Sequence, residues 1–246
     1  MVIFIKWYCC FILIMKDYEH IIFDLDHTLW DFERNSGAAL SEIYKELELN
    51  IMGIPDFGEF YNLYKKINEH FWNLYRDGKV EKEELRTIRF SSTLQQYGIK
   101  NDDLVEKICN SYLYKSPRKP HLIDGSIEVL NYLKNKYELH ILTNGFAEIQ
   151  EVKMNSSGLS PYFKHVIASE HAGAKKPHAQ AFNYTLEKIG TARDNCIMIG
   201  DNIESDIKGA FELGMDSIYF NRDGAHENYN EATHQIHQLS EIMDIL

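Results

Sequence analysis

Five short apolar runs recur beyond residue 20: Ile21 to Leu25, Leu139 to Leu142, Val166 to Ala168, Ile197 to Ile199 and Ser217 to Phe220. None alternates with polar residues, which is the pattern of strands covered on both faces. Helical spacing fills the intervals between the later runs, so the connections read as βαβ crossovers and the sheet as mostly parallel. The expected fold class is α/β, a doubly wound parallel sheet. The first interval differs, because Arg34 to about Leu49, Phe57 to Arg76, Glu81 to Tyr97 and Asp102 to Lys115 all carry helical periodicity. Four helices exceed one crossover. They are expected to form an inserted helical domain, residues 33–117, bounded by Trp30 to Glu33 on one side and Ser116-Pro117 to Pro120 on the other. Residues 16–32 and 118–246 then make the core, with Ile236 to Leu246 an amphipathic piece packed on it.

Composition narrows the function classes. The 246 residues carry 26 Lys plus Arg against 37 Asp plus Glu, a net charge of −11, which repels a polyphosphate backbone and argues against a nucleic acid polymer as partner. A hydrophobic content of 44% is that of a globular chain rather than a disordered one. Cys9, Cys10, Cys109 and Cys196 show no C-x-x-C spacing, as expected in a reducing cytoplasm. Val2 to Met15 is apolar apart from Lys6, too short to span a bilayer and lacking the cleavage pattern of a secretory signal. Residues 1–15 are expected to be an extension, with the working chain beginning near Met15.

The candidate chemistry starts at Asp24-Leu25-Asp26-His27-Thr28, where the first apolar run ends in two carboxylates two residues apart. Both point to one side if the strand continues through them, and the C-terminal edge of a parallel sheet is where ligands bind. A lone D-x-D reads more readily as a solvated loop than as a site. The second run ends Leu142-Thr143-Asn144-Gly145, with a hydroxyl and an amide before a helical stretch. Lys175-Lys176-Pro177 is a short basic break before a helix from His178 to Ile189, where one lysine can neutralise an anion and Lys175 reads as a surface lysine. The fourth run ends Gly200-Asp201-Asn202-Ile203-Glu204-Ser205-Asp206, where Gly200 permits close backbone approach. Asp24, Asp26 and Asp201 crowded together would repel unless a cation were present, and an all-oxygen ligand set favours Mg²⁺.

D-x-D-x-T, the strand-terminal Thr, Lys-Pro and G-D-x-x-x-x-D in this order resemble the four motifs of the haloacid dehalogenase superfamily, over a stretch from about residue 20 to the C-terminus. The insert is similar to that family's helical cap. The resemblance implies phosphate-ester hydrolysis through an aspartyl phosphate, with Asp24 as nucleophile and Asp26 as general acid and base. Thr143 and Asn144 would bind phosphoryl oxygens and Lys176 would balance charge on nucleophile and phosphate. Asp24, Asp26 through its backbone carbonyl, Asp201 and Asp206 would hold or support Mg²⁺. Members that dehalogenate lack the second acid, so Asp26 implies phosphate chemistry. His27 stands where many phosphatases of the family carry Gly, and packing under the cap is the expectation for it.

The stretches IIFDLDHTLWDFERNS, LTNGFAEIQ, MNSSGLSPYF and GDNIESDIKGA are similar to the branch of 5′-nucleotidases acting on noncanonical pyrimidine nucleotides. The implied partner is a small-molecule phosphate ester, a nucleoside monophosphate such as UMP, dUMP or dTMP, handled by a monomer or homodimer. Trp30, Phe32, Phe71, Trp72, Tyr75 and Phe90 offer stacking faces for a base, and Arg86 and Arg89 offer donors, although aromatics at helical spacing also make core. A phosphatase of phosphoglycolate or a sugar phosphate, a sugar-phosphate mutase and a non-catalytic Mg²⁺-dependent binder remain alternatives. His165, His171, His178, His226, His234 and His237 match no zinc spacing and read as surface or capping residues.

Overall fold

A computed structural model describes residues 17–224 and 229–246. The expected extension with Cys9 and Cys10 lies outside the described residues, as does His226. Strand β1 (His20–Phe23) leads into four consecutive helices, α1 (Phe32–Glu46), α2 (Phe57–Arg76), α3 (Lys82–Gln96) and α4 (Asp102–Lys115). The chain then alternates α5 (Ser126–Leu133), β2 (Glu138–Thr143), α6 (Ala147–Ser156), β3 (His165–Ala168), α7 (Ala179–Ile189), β4 (Cys196–Gly200), α8 (Lys208–Leu213) and β5 (Asp216–Phe220), and ends in β6 (His234–Ile236) and α9 (Ile242–Ile245).

All six strands are parallel, in the order β3-β2-β1-β4-β5-β6. The order reverses at β1, so its C-terminal end opens beside those of β2 and β4, where a crevice forms without any side chain having to be moved aside. One sheet face carries Phe23, Ile141 and Ile199 against Val129 and Leu130 of α5, Met154 of α6 and Ile242 of α9. The other carries Ile22, Leu142 and Met198 against Phe182 and Leu186 of α7 and Ala210 of α8. Two covered faces explain why the strands read as unbroken apolar runs. The piece expected as a single amphipathic stretch from Ile236 is instead the end of β6 followed by two short helical turns, because Ile236 pairs with Phe220 and extends the sheet.

The helical cap has its own core, built from Leu40 and Ile43 of α1, Phe60 and Tyr64 of α2, Phe90 and Leu94 of α3, and Ile108 and Tyr112 of α4. Helix starts are set by side-chain caps: Asp31, Asp56 and Asn101 each accept from the backbone N–H three residues on. The cap on Asp31 starts α1 at Phe32, two residues before the expected Arg34. The two connections into the core are tied together. Asp31 N–H donates to His121 O, Ile123 N–H to Leu29 O, and the Asn35 amide both donates to and accepts from the His121 backbone. The cap therefore attaches through a narrow, hydrogen-bonded double crossing.

Candidate active site

Four segments converge at the C-terminal edge of the sheet. β1 ends at Phe23, and Asp24 still donates its backbone N–H to Ile199 O of β4, which fixes its carboxylate over the crevice. The strand does not continue through Asp26. The chain turns, with Leu29 and Trp30 donating back to Leu25 O, so the two carboxylates part company rather than sharing one face. His27 takes a φ of 68° to make this turn, a left-handed conformation that glycine adopts freely and other residues rarely do. Its ring packs 4.9 Å from Phe32 and also lines the cavity, so it packs under the cap as expected and faces the site as well.

Asp24, Asp201 and Asp206 come together, with a carboxylate oxygen from each within 4.8 Å of the others. Lys176 lies beneath them, 1% exposed, and its ammonium donates to Asp24 Oδ1 at 2.6 Å, Asp206 Oδ1 at 2.7 Å and Leu142 O at 2.7 Å. All three of its protons are engaged, so it balances the carboxylates from below instead of reaching the cavity. Gly200 makes the packing possible: a Cβ there would stand 2.3 Å from Asp206 Oδ2 and 2.7 Å from its Cβ. Asp206 also accepts from Asn202 N–H and the Ser205 hydroxyl, and Thr28 donates to Asp201 Oδ1 at 2.8 Å.

Burial holds the Asp24 carboxyl well above the ordinary carboxylate range, against the pull of Lys176 and with the neighbouring Asp206 and Asp201 adding to the rise. Asp201 is raised for the same first reason, with Asp206 contributing and the Thr28 hydrogen bond opposing. Three carboxylates around one ammonium leave an excess of two negative charges, which one divalent cation would balance, and a set of oxygen ligands suits a hard cation such as Mg²⁺. The donor set therefore fits the group that the motifs imply.

Asp26 is held apart. Lys153 of α6 donates to both its oxygens at 2.6 and 2.8 Å and lies 4.4 Å from the centroid of the Trp30 ring. Lys153 was not among the expected site residues: it lies on the buried face of α6 with Gln150 and Met154, a mostly polar face that carries no signal in the sequence. Thr143 is buried and its hydroxyl accepts from Gly145 N–H at 3.0 Å. The Asn144 amide is taken up by Lys176 O, Lys176 N–H and the Ser169 hydroxyl, so the side chain moors the Lys176 loop, while the residue lines the cavity.

The cavity between core and cap has a volume of about 630 Å³ and is lined by Asp24, Asp26, Thr143 and Asp201 from below and by Phe32, Asn62, Lys65, Asn68, Trp72 and Arg76 from the cap. Of the expected base-contact residues, Phe32 and Trp72 line it. Trp30 and Phe90 are fully buried in the two cores, and Arg89 is buried against Phe90 and Tyr112 with Asn68 as acceptor. Phe71 and Tyr75 join the cluster around Phe146, and Arg86 pairs with Glu83 and Glu148. Lys175 is not a free surface lysine: it donates to Tyr75 O at 2.7 Å and sits over the Tyr75 ring, clasping the cap, and burial lowers its pKa.

The whole arrangement has relatives. The HAD-hydrolase YfnB of Bacillus subtilis is 33% identical over 94% of this chain and 97% of its own length. Its solved structure, bound to magnesium, superposes with a TM-score of 0.84 at 31% identity, covering 94% of this chain and 99% of that one. The pyrimidine 5′-nucleotidases PynA of Streptococcus pneumoniae and YjjG of Escherichia coli are 30% and 29% identical over 93% and 83% of this chain, and 95% and 86% of their own. Residues 21–220 match the family of haloacid dehalogenase-like hydrolases, and the chain belongs to that family.

Proposed function

We propose that this protein is a Mg²⁺-dependent phosphomonoesterase that works through an aspartyl phosphate, and that its substrates are pyrimidine nucleoside 5′-monophosphates such as UMP, dUMP or dTMP. The observation that carries the chemistry is the division of two carboxylates between two lysines: Asp24 with Lys176, Asp206 and Asp201 on one side, Asp26 with Lys153 on the other. Asp24 attacks phosphorus as the ester P–O bond breaks, and Asp26 gives a proton to the leaving oxygen. Asp26 then takes a proton from the water that attacks the aspartyl phosphate, returning Asp24 and releasing phosphate. Lys153 orients Asp26 for both transfers, and Lys176 keeps Asp24 in place below. Asp24, Asp201 and the Asp26 carbonyl, with Asp206 in support, would hold Mg²⁺, which would supply charge stabilisation for the phosphoryl oxygens.

The substrate reading is supported by the cavity and by the two nucleotidase relatives. A volume of about 630 Å³ accommodates a nucleotide, Phe32 and Trp72 offer flat faces to a base, and Lys65 and Arg76 add positive charge for an anionic substrate. Phosphate release from a panel of nucleoside monophosphates, sugar phosphates and phosphoglycolate, with and without Mg²⁺, tests it. Fastest turnover of pyrimidine monophosphates is expected. A sugar phosphate or phosphoglycolate leading the panel would overturn the substrate and leave the chemistry standing.

A further inference from the structure

The opposite edge of the sheet carries chemistry that the phosphatase reading does not use. His20 at the start of β1, His140 in β2 and His165 at the start of β3 stand on adjacent strands, on the face that carries Ile22, Leu142 and Ile167. His140 is fully buried. Its Nε2 lies 3.2 Å from His20 Nδ1, and Glu138 Oε2 lies 3.5 Å from the same His20 nitrogen. All three ligand atoms fall within 4.8 Å of one another.

From these residues we propose a second metal site, remote from the carboxylate crevice, in which His20 Nδ1, His140 Nε2 and Glu138 Oε2 bind a borderline divalent cation, Zn²⁺ by preference. Geometry is the first argument. Two ligand atoms about 2.0–2.1 Å from a tetrahedral zinc stand roughly 3.3–3.4 Å apart, and the two measured separations bracket that value. The third pair, His140 Nε2 and Glu138 Oε2, lies within 4.8 Å, and the exposed Glu138 carboxylate is the group that would move to complete the set. Ligand chemistry is the second, since two imidazoles and one carboxylate suit Zn²⁺, Co²⁺ or Ni²⁺ and discriminate against Mg²⁺, which the oxygen-only crevice favours.

Ligation would set both tautomers. With both inward nitrogens on the metal, each neutral ring carries its proton outward, on His20 Nε2 and His140 Nδ1. Glu19 Oε2 lies 4.0 Å from His20 Nε2, on the side where a carboxylate orients a ligating histidine. His140 Nδ1 is buried without a partner. Burial, with the neighbouring His20 and His165 adding to it, lowers the pKa of His140 to about 4, so the ring is neutral and able to ligate at pH 7. Glu138 is exposed, which gives an ion a way in, and its carboxylate also accepts from Lys164 at 2.7 and 2.8 Å. The His165 ring stacks on His140 at 5.4 Å and covers it from the third strand.

The test is zinc retention. Metal-stripped protein is dialysed against Zn²⁺ with excess Mg²⁺ and its zinc is counted, for wild type, Asp201→Asn, His20→Gln, His140→Gln and Glu138→Gln. The proposal expects wild type and Asp201→Asn to retain one zinc that all three edge variants lose or bind at least about tenfold more weakly. It also expects Co²⁺ to give the strong visible absorption of a tetrahedral ion that Glu138→Gln lacks. Phosphate release with Mg²⁺ should be unchanged in Glu138→Gln, which alters an exposed residue and keeps the fold measurable should His140→Gln not fold. No retained zinc in wild type, or zinc lost from Asp201→Asn but kept by Glu138→Gln, would overturn the proposal.

Discussion

Replacing Lys176 by methionine removes the ammonium buried among the strand-tip carboxylates while keeping most of the side-chain volume. Lys176 donates to Asp24, Asp206 and Leu142 O at 2.6–2.7 Å with 1% exposure. Breaking a buried ion pair by removing one partner costs about 3–5 kcal/mol, and the hydrogen bond to the carbonyl contributes about 1 kcal/mol more. At roughly 2–4 °C per kcal/mol for a chain of this size, Lys176→Met should lower Tm by about 8–24 °C in EDTA at neutral pH. Two accompanying changes follow from the charge balance. As pH falls, Asp24, whose pKa Lys176 holds down against burial, takes up its proton more readily once Lys176 is gone, so the deficit should shrink towards pH 5. Mg²⁺ at 100 times its Kd should return about 2.7 kcal/mol, and the rise in Tm on adding it should be larger in the variant than in wild type. Circular dichroism melts with EDTA or Mg²⁺ at two pH values measure all of this. A variant melting within about 2 °C of wild type in EDTA would refute the electrostatic account of the cluster.

Four further expectations follow. Gly200→Ala places a Cβ 2.3–2.7 Å from Asp206, so it should cost about 1–3 kcal/mol and reduce phosphate release by more than about a hundredfold through misplacement of the carboxylates. Lys153→Met frees Asp26 from both its hydrogen bonds and should lower kcat and move the pH–rate profile, while leaving KM within about threefold; an unchanged profile would remove Lys153 from the proton-transfer account. Trp72→Ala and Phe32→Ala should raise KM for pyrimidine monophosphates more than they lower kcat, which steady-state kinetics on the panel resolves. His140 titrates near 4 when folded against about 6.5 when unfolded. The unfolded chain therefore binds its proton first as pH drops, and stability is lost between about 6.5 and 4; His140→Gln should flatten Tm against pH across that window.

Much of the architecture was legible because strands buried on both faces have no polar side to hide them, and α2 and α4 were bounded as observed because Asp56 and Asn101 cap them. β6 was missed since three residues, one of them apolar, carry no period. The strand-tip motifs led to a crowd of Asp24, Asp26 and Asp201 with Asp206 in support, whereas Asp24, Asp201 and Asp206 cluster and Asp26 stands apart with Lys153; spacing alone could not say that the chain turns after Asp24, because that depends on His27 adopting a positive φ. The partner of Asp26 lies 127 residues away, on a mostly polar helix face that does not distinguish Lys153 from a surface lysine in the sequence. The cap was read through its aromatics, most of which are core. The cavity wall is instead the stripe Asn62, Lys65, Glu69, Trp72 and Arg76 on α2, whose alternating three- and four-residue spacing looks in sequence like a solvated face. The histidine pair at the other edge, 120 residues apart, has no local pattern at all.

The central claim is that Asp24 becomes phosphorylated. A single-turnover reaction with a pyrimidine monophosphate and Mg²⁺, quenched in acid and digested, should yield a peptide containing Asp24 that carries one phosphoryl group, accumulating further in Asp26→Asn and absent from Asp24→Asn, which should fold and release no phosphate. Phosphate release by Asp24→Asn, or turnover by wild type with no phosphorylated Asp24 peptide at any quench time, would contradict the account.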